Sequence, residues 1–479
     1  MTLSPIDIHG EDEMAALGAD LAAILAPGDR IGLVGDLGAG KTTLARAIIR
    51  ALADDPALEV PSPTFTLVQS YDETRIPVRH ADLYRVADPM EVDELGLGEP
   101  DAAELIEWPK AALPVTLAID FAPGDDAARR ITVTAPAEFL ARLDRRRAMA
   151  RFVAAAGWGD ATRRPLKQDA STRNYERLVR PAESAVLMNA PSFTPAPDSY
   201  PARARLADGN NNAFLAVGAL LAARGLSAPR VLSADPAGGF ILLEDLGDEK
   251  IAEEGAPIAE RYEAAADALA AFHRSPPPLP LPGPAGPHAP PLYDTTLGVL
   301  EVGLFPEWFL KTEPGAEYRD LWRAALDNLW RGDDHLALRD YHSPNCLWLA
   351  ARQGIAKVGI IDYQDAMIAP SAYDVASLAQ DARVPVPPAL EDRLVARYLA
   401  ARPGLDTARW REAYHIVGAQ RATRIAGVFR RLNDRDGKPQ YLAHLPHVLA
   451  ALRRNLAATP ALAPLKDWFT TNTSIMDGQ

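Results

Sequence analysis

"DRIGLVGDLGAGKTTLARAIIRAL" (Asp29–Leu52) starts with a short apolar run, passes through Gly35, Gly38 and Gly40, and continues with apolar residues at helical spacing. That order reads as a buried strand, a tight turn and an amphipathic helix. Gly35, Gly40, Lys41 and Thr42 fit G-x-x-x-x-G-K-[ST] in this context, and each residue type serves the same chemistry. Glycines let backbone N–H groups converge on an anion, and the helix start adds a positive partial charge. Lys41 is placed to reach the β- and γ-phosphates of ATP, and the Thr42 hydroxyl to ligate Mg²⁺. Asp36, Gly38, Ala39 and Thr43 complete the expected cradle.

Outward from this turn, "PVTLAIDFAP" and "RRITVTAP" read as further strands, so residues 1–140 are expected to form a P-loop α/β domain. "EFLARLDRRRAMARFVAAAGW" then runs helically, and the boundary is placed near Arg145, with a second domain over 145–479. There "STRNYERLVR" and "SAVLMNAP" read as paired strands, "GGFILLEDLG" as a third, and "NCLWLAARQGIAKVGIID" as a hairpin within mostly helical sequence. Ser275–Pro291 is too rich in proline for regular helix or sheet and is expected to be a surface loop.

The chain has 479 residues, 48% of them hydrophobic and 24% charged, which suits a protein with sizeable cores. A net charge of −14 argues against strong direct binding to nucleic acid or to an anionic membrane. Cys346 is the single cysteine, which excludes an intramolecular disulfide and is read as a small apolar loop residue. The acidic start "MTLSPIDIHGEDEMAAL" lacks the marks of a signal peptide, and no stretch approaches a membrane span. A soluble, cytoplasmic protein is expected.

A second phosphate-handling device stands far downstream. In "LALRDYHSPNCLW" (Leu336–Trp348), Asp340 and Asn345 have the D-x-x-x-x-N spacing of a kinase catalytic loop. Asp362, in "VGIIDYQDA", follows the hairpin that would return a metal-binding acid to the same place. Phosphoryl transfer needs an acceptor hydroxyl held in line, a carboxylate to take its proton and Mg²⁺ on the phosphates. Asp340 is the expected base; Asn345 and Asp362 are the expected metal ligands.

Taken with the cradle, "PSPTFTLVQSY", "HADLYRV" and "LIEWPK" make the front of the chain, about residues 5–136, resemble the TsaE-type ATPases of the bacterial tRNA threonylcarbamoyladenosine machinery. The resemblance implies that Thr42 and Glu107 help hold Mg²⁺, Glu107 also acting in catalysis, and that Asp82 is a Walker-B-like acid. It further implies that Thr64 belongs to a switch segment, that Trp108 lies beside the nucleotide, and that the partners are the other protein subunits of the carbamoyl-transfer complex.

The remainder, about residues 148–450, resembles the aminoglycoside-phosphotransferase-like kinases, and among them the N-acetylmuramate/N-acetylglucosamine anomeric kinases. This rests on "DASTRNYERL", "AVLMNAP", "GGFILLEDLG", "LFPEWFL", "LRDYHSPNCLWL", "IIDYQDAMIAPSAYDVASL" and "GVFRRLNDRDGKPQYLAHLP". It implies a two-lobed kinase fold, ATP and Mg²⁺, and an amino-sugar acceptor. "DASTRNY" would cover the phosphates, and Glu244 to Leu246 would be the adenine hinge. Two positions depart from the kinase pattern: Leu338 replaces the usual His, and Met188 stands where a phosphate-binding Lys is usual. Arg173 and Arg177 are candidates for that missing cation; Glu301, Trp308, Gln364, Arg431, Asp434 and Lys438 are candidate sugar contacts. Two alternatives stay open: a front domain that only binds proteins, and a different acceptor such as an aminoglycoside, choline or homoserine.

Overall fold

The computed structural model describes residues 2, 5–86, 91–92, 94–98, 100–110, 115–124, 128–166, 173–207 and 209–477. The chain divides into two units, Met1–Gly159 and Asp160–Gln479.

The first unit is built on a seven-stranded sheet. Its order is Ile6–Ile8, Arg129–Thr134, Leu117–Pro123, Arg30–Val34, Ala103–Glu107, Val78–Asp82 and Val68–Tyr71. Arg30–Val34 lies between two parallel neighbours, Ala103–Glu107 and Leu117–Pro123. Ile31 and Leu33 are fully buried there, as a strand covered on both faces requires. The register sets Glu107 beside Leu33 and Asp82 beside Glu107, so two acids end adjacent strands where the glycine turn begins. Open parallel sheets bind ligands at this carboxyl end.

Helix Ala137–Ala155 belongs to the first unit, which corrects the boundary expected near Arg145. Phe139, Leu140 and Leu143 are buried in the core of that unit, Arg142 donates to the Ile24 carbonyl, and Arg146 pairs with Asp20 at 3.4 Å. The break in the sequence pattern marks the end of the sheet; the packing continues through the helix.

The second unit begins with an antiparallel five-stranded sheet, ordered Val231–Asp235, Phe240–Glu244, Ser184–Asn189, Asn174–Val179 and Thr162–Pro165. The chain leaves Phe240–Glu244 into a largely helical portion whose longest element is Thr407–Asp434. Two short ribbons interrupt the helices: Asp334–Ala337 with Met367–Pro370, and Cys346–Trp348 with Val358–Ile360. Asp340 lies between the first strands of the two ribbons, and Asp362 just beyond the second ribbon. The fold is that of a two-lobed, protein-kinase-like phosphotransferase. Ser275–Pro291 contains no helix or strand, apart from a single bridge between Leu281 and His288. Among the described residues, no helix is long and apolar enough to cross a membrane.

Candidate active sites

In the first unit, Gly35, Gly38 and Gly40 all take positive φ (145°, 79° and 111°), which lets the turn fold back and present its amides. A Cβ on Gly35 would lie 2.8 Å from the Phe121 carbonyl oxygen, so no larger residue fits without moving the neighbouring strand. Lys41, the first residue of helix Lys41–Ala53, is buried and donates to the carbonyls of Gly35 and Asp36, each at 2.8 Å. Its ammonium also sits 3.8 Å from the centre of the Trp108 ring, which stands 5.0 Å from that of Tyr84. Burial lowers the Lys41 pKa, against the pull of Glu107, Asp82 and Asp36.

Glu107 is shared. One oxygen accepts from the Thr42 hydroxyl at 3.0 Å, and the other meets His80 Nε2 at 3.0 Å. Asp82 accepts from the Thr64 hydroxyl at 3.0 Å and from the Tyr84 amide at 3.0 Å. The structure therefore gathers Gly35, Lys41, Thr42, Asp82, Glu107 and Trp108 at one end of the sheet, with Thr64 tied to Asp82. The sequence reading passed over His80, although it stands two residues before Asp82 in "HADLYRV".

The second unit holds a cavity of about 870 Å³. Leu166, Val186, Leu243, Leu347 and Ile361 line it together with Glu244–Asp248, an apolar set that suits a purine ring. Glu244 and Leu246 both line it, and Arg352 holds the Glu244 carboxylate at 2.7 Å. Asp340, Asn345 and Asp362 line the same cavity. Asn345 Nδ2 donates to the Asp340 carbonyl at 3.0 Å, which leaves its amide oxygen for a cation. Asp362 takes a φ of 59° and accepts from Gln364 Nε2 at 2.9 Å.

Asp340 is held through its backbone. Arg339, just before it, takes a φ of 70°, and Asp374 accepts from the amides of Leu338 and Arg339 at 2.7 and 3.0 Å. Arg421 donates to the Arg339 carbonyl at 2.8 Å. The Asp374 carboxylate thus orders a loop in which Leu338 stands at the position usually held by His. Burial alone would raise the Asp340 pKa, but Arg424, His342, Arg421 and Arg339 outweigh it and hold the carboxyl below the ordinary range. Asp362 moves the other way: burial raises its pKa, Gln364 opposes this, and the neighbouring Asp340 and Asp365 add to the rise. Among the described residues no three His, Cys, Asp or Glu side chains form a ready cation cage. Mg²⁺ arriving on nucleotide phosphates needs only one or two protein carboxylates, so a strained Asp362 beside Asn345 fits it.

Met188 is fully buried between Tyr175 and Ile241 of the adjacent strands, so no cation enters from that position. Arg177 is committed to Asp245 and Asp248 at 2.8 and 2.7 Å, which removes it as a phosphate ligand. Arg173 lines the cavity and acts electrostatically on Asp362; residues 169–172 of the phosphate-covering segment lie outside the described residues.

Of the candidate sugar contacts, Arg431 lines the cavity. Glu301 does not: it is fully buried and accepts from Arg339 at 2.5 Å, Arg424 at 3.0 Å and Gln420 at 2.9 Å, so it anchors cations rather than substrate. Gln364 serves Asp362, Asp434 pairs with Lys311, and Trp308 and Lys438 are outside the cavity lining. The sequence reading missed Arg421, Arg424, Ile425, Val428, Phe429 and Leu432, which form one face of helix Thr407–Asp434 on the cavity. Arg424 lies 3.7 Å from the Asp340 carboxylate. Helical spacing in "QRATRIAGVFRRL" was the available signal.

A nucleotide slot, a hinge and a carboxylate on a loop between short ribbons define the second unit as a phosphotransferase; a glycine turn with a lysine and two acids at a strand end defines the first as a P-loop ATPase. Residues 162–412 match the family described as phosphotransferase enzyme family, and residues 8–131 match that described as threonylcarbamoyl adenosine biosynthesis protein TsaE. An N-acetylmuramate/N-acetylglucosamine kinase of Caulobacter vibrioides is 40% identical over 349 residues, covering 68% of this chain and 96% of that protein. One of the same name from Pseudomonas aeruginosa is 32% identical, covering 65% and 89%. A tRNA threonylcarbamoyladenosine biosynthesis protein TsaE of Aquifex aeolicus is 33% identical over 131 residues, covering 27% of this chain and 96% of that protein. The chain belongs to the phosphotransferase enzyme family through its second unit and to the TsaE family through its first.

Proposed function

We propose that the chain is bifunctional. The second unit transfers the γ-phosphoryl group of ATP to the anomeric hydroxyl of N-acetylmuramate or N-acetylglucosamine, as in peptidoglycan recycling. The first hydrolyses ATP in support of tRNA threonylcarbamoyladenosine formation, together with the protein subunits of that machinery. The sugar assignment rests on the names of the kinase relatives and on one observation in the cavity. The cavity wall carries Arg383, Arg421, Arg424 and Arg431; Asp340, Asp362 and Asp365 are also on it, Asp340 3.7 Å from Arg424. A polycationic aminoglycoside, choline or another ammonium compound would meet like charge there; a neutral or anionic sugar would not.

In this reading the anomeric oxygen attacks the γ-phosphorus while the bond to the β,γ-bridging oxygen breaks, and the proton passes to Asp340. An anomeric hydroxyl is more acidic than an ordinary sugar alcohol, so a carboxylate of low basicity suffices. Asn345 and Asp362 would hold Mg²⁺, which neutralises phosphate charge when bound. In the first unit Thr42, Asp82 and Glu107 would hold the ion, with Lys41 on the phosphates.

The deciding experiment incubates the protein with ATP and a panel of acceptors and locates the new phosphate by NMR. A sugar 1-phosphate without a reducing end is expected from the N-acetyl sugars. A 6-phosphate, or turnover only on aminoglycosides, would overturn the assignment. For the first unit, a slow ATPase that accelerates with the partner subunits is expected; a protein that binds those subunits without hydrolysing ATP would favour a purely interacting domain.

A further inference from the structure

Six arginines other than Arg431 on the cavity wall already have work. Arg177 is paired with Asp245 and Asp248, and Arg339 with Glu301. Arg421 is held by the Arg339 carbonyl and Ser377, and Arg424 by Glu301 with Asp340 nearby. Arg173 donates to the Ala207 carbonyl, and Arg383 lies against the Tyr441 ring; both have further partners. Arg431 differs. Its guanidinium lies 5.2 Å from the centre of the Tyr200 ring, and among the described residues no carboxylate pairs with it. Of the two acids close enough to act on it, Asp436 is engaged by Arg435 at 2.6 and 3.0 Å, and Glu307 forms no ion pair with it. A half-buried guanidinium on a cavity wall with no carboxylate partner suits an anionic ligand.

Its position fits a ligand anchored at Asp340. Arg424 and Arg431 are seven residues apart on helix Thr407–Asp434, two turns or about 10 Å along the axis, and therefore on one face. Tyr200 also lines the cavity and is close enough to feel both arginines. A sugar whose anomeric hydroxyl sits at Asp340 beside Arg424 would extend its far substituents toward Tyr200 and Arg431. N-acetylmuramate differs from N-acetylglucosamine by a lactyl ether that ends in a carboxylate. We propose that Arg431 receives this carboxylate, with Tyr200 as the platform that fixes the guanidinium, and so sets the preference between an acidic and a neutral N-acetyl sugar. This rests on the kinase reading above.

The test compares Arg431→Gln with the unaltered full chain on both sugars, after a thermal melt has shown that the variant is folded. Loss of a charge-assisted pair is expected to lower kcat/KM for N-acetylmuramate by about ten- to a hundredfold, mainly through KM, and to leave N-acetylglucosamine within about twofold. Arg431→Lys is expected to recover part of the muramate preference, since it keeps the charge without the fork. Equal losses on both sugars, unchanged kinetics on both, or an unfolded Arg431→Gln with normal muramate selectivity in Arg431→Lys would each overturn the assignment of Arg431. If the unaltered chain phosphorylates neither sugar, the kinase reading itself fails, and this proposal falls with it.

Discussion

In the first unit, the groups that would meet phosphate are backbone amides on one uninterrupted turn, Gly35 to Thr42, and Lys41 folds back onto that turn's own carbonyls. In the second unit they are side chains from separated segments. Asp340 and Asn345 come from one loop, Asp362 from beyond a hairpin, Arg424 from a helix much later in the chain, and Met188 fills the place where a lysine is usual. The first arrangement is set by the backbone conformation of one turn. The second exists only when the two lobes and the long helix have packed. A cradle of amides recognises phosphate and little else, whereas a wall of side chains lets the acceptor be chosen as well.

The sharpest way to break this contrast is a reciprocal pair. Lys41→Ala is expected to reduce ATP hydrolysis by the first unit to background while sugar phosphorylation persists, and Asp362→Asn to do the converse. Product formation by each activity, measured separately in both variants, checks it; equal loss of both activities in one folded variant would show that the sites act as one. For Asp362→Asn the loss should appear in kcat at any sugar concentration, and a variant with normal turnover and only a raised sugar KM would remove the metal role.

Asp340→Asn comes next. It keeps the shape of the side chain but cannot accept the sugar proton as a carboxylate does, so single-turnover rates should fall by about 10²–10⁴-fold with ATP still binding. Near-normal sugar phosphorylation would remove the base.

A smaller effect is expected from Arg424→Gln, about ten- to a hundredfold in kcat/KM. The carboxylate must be unprotonated to work. A lowered pKa therefore keeps Asp340 active as pH falls, and removing its largest cationic neighbour should move the acid limb of the pH profile upward. His342, Arg421 and Arg339 still oppose the rise, while Asp362 and burial favour it. A limb that stays in place, or moves down, would show that Arg424 does not set the basicity of Asp340.

The smallest effect sharpens the comparison at its oddest residue. Met188→Leu conserves volume in a fully buried position and is expected to cost less than about 1.5 kcal/mol, with KM for ATP changed by no more than about twofold. Chemical denaturation and ATP titration of the kinase reaction check both. A large loss of ATP affinity would give the thioether a part in nucleotide binding that the packing does not suggest.

This difference also governs how much could be read from residues alone. The cradle is contiguous, so its spacing named Gly35, Lys41 and Thr42 directly, whereas Asp82 and Glu107 came only from the resemblance to the TsaE-type ATPases. Asp340, Asn345 and Asp362 were legible because they cluster around one hairpin. The acceptor wall was not. Of its arginines only Arg431 was among the candidates; Arg421 and Arg424 lie on the same face of a 28-residue helix, a spacing present in the sequence but passed over among its other arginines. Glu301 misled for another reason: a lone acid in an apolar stretch reads as a ligand contact until Arg339, Arg424 and Gln420 are found around it. The boundary near Arg145 failed because composition changes where the sheet ends, while helix Ala137–Ala155 still packs on the first unit.

Arg339 holds a backbone conformation that a side-chain-bearing residue adopts only under compulsion, and the compulsion comes from Asp374 and Arg421 gripping its peptide groups on both sides. The direction of Asp340 is thereby inherited from the main chain and owes nothing to the substrate. Arg421 belongs to the long helix, so a lineage that redrew this wall for a new sugar would have to keep that one arginine for Asp340 to stay where it is.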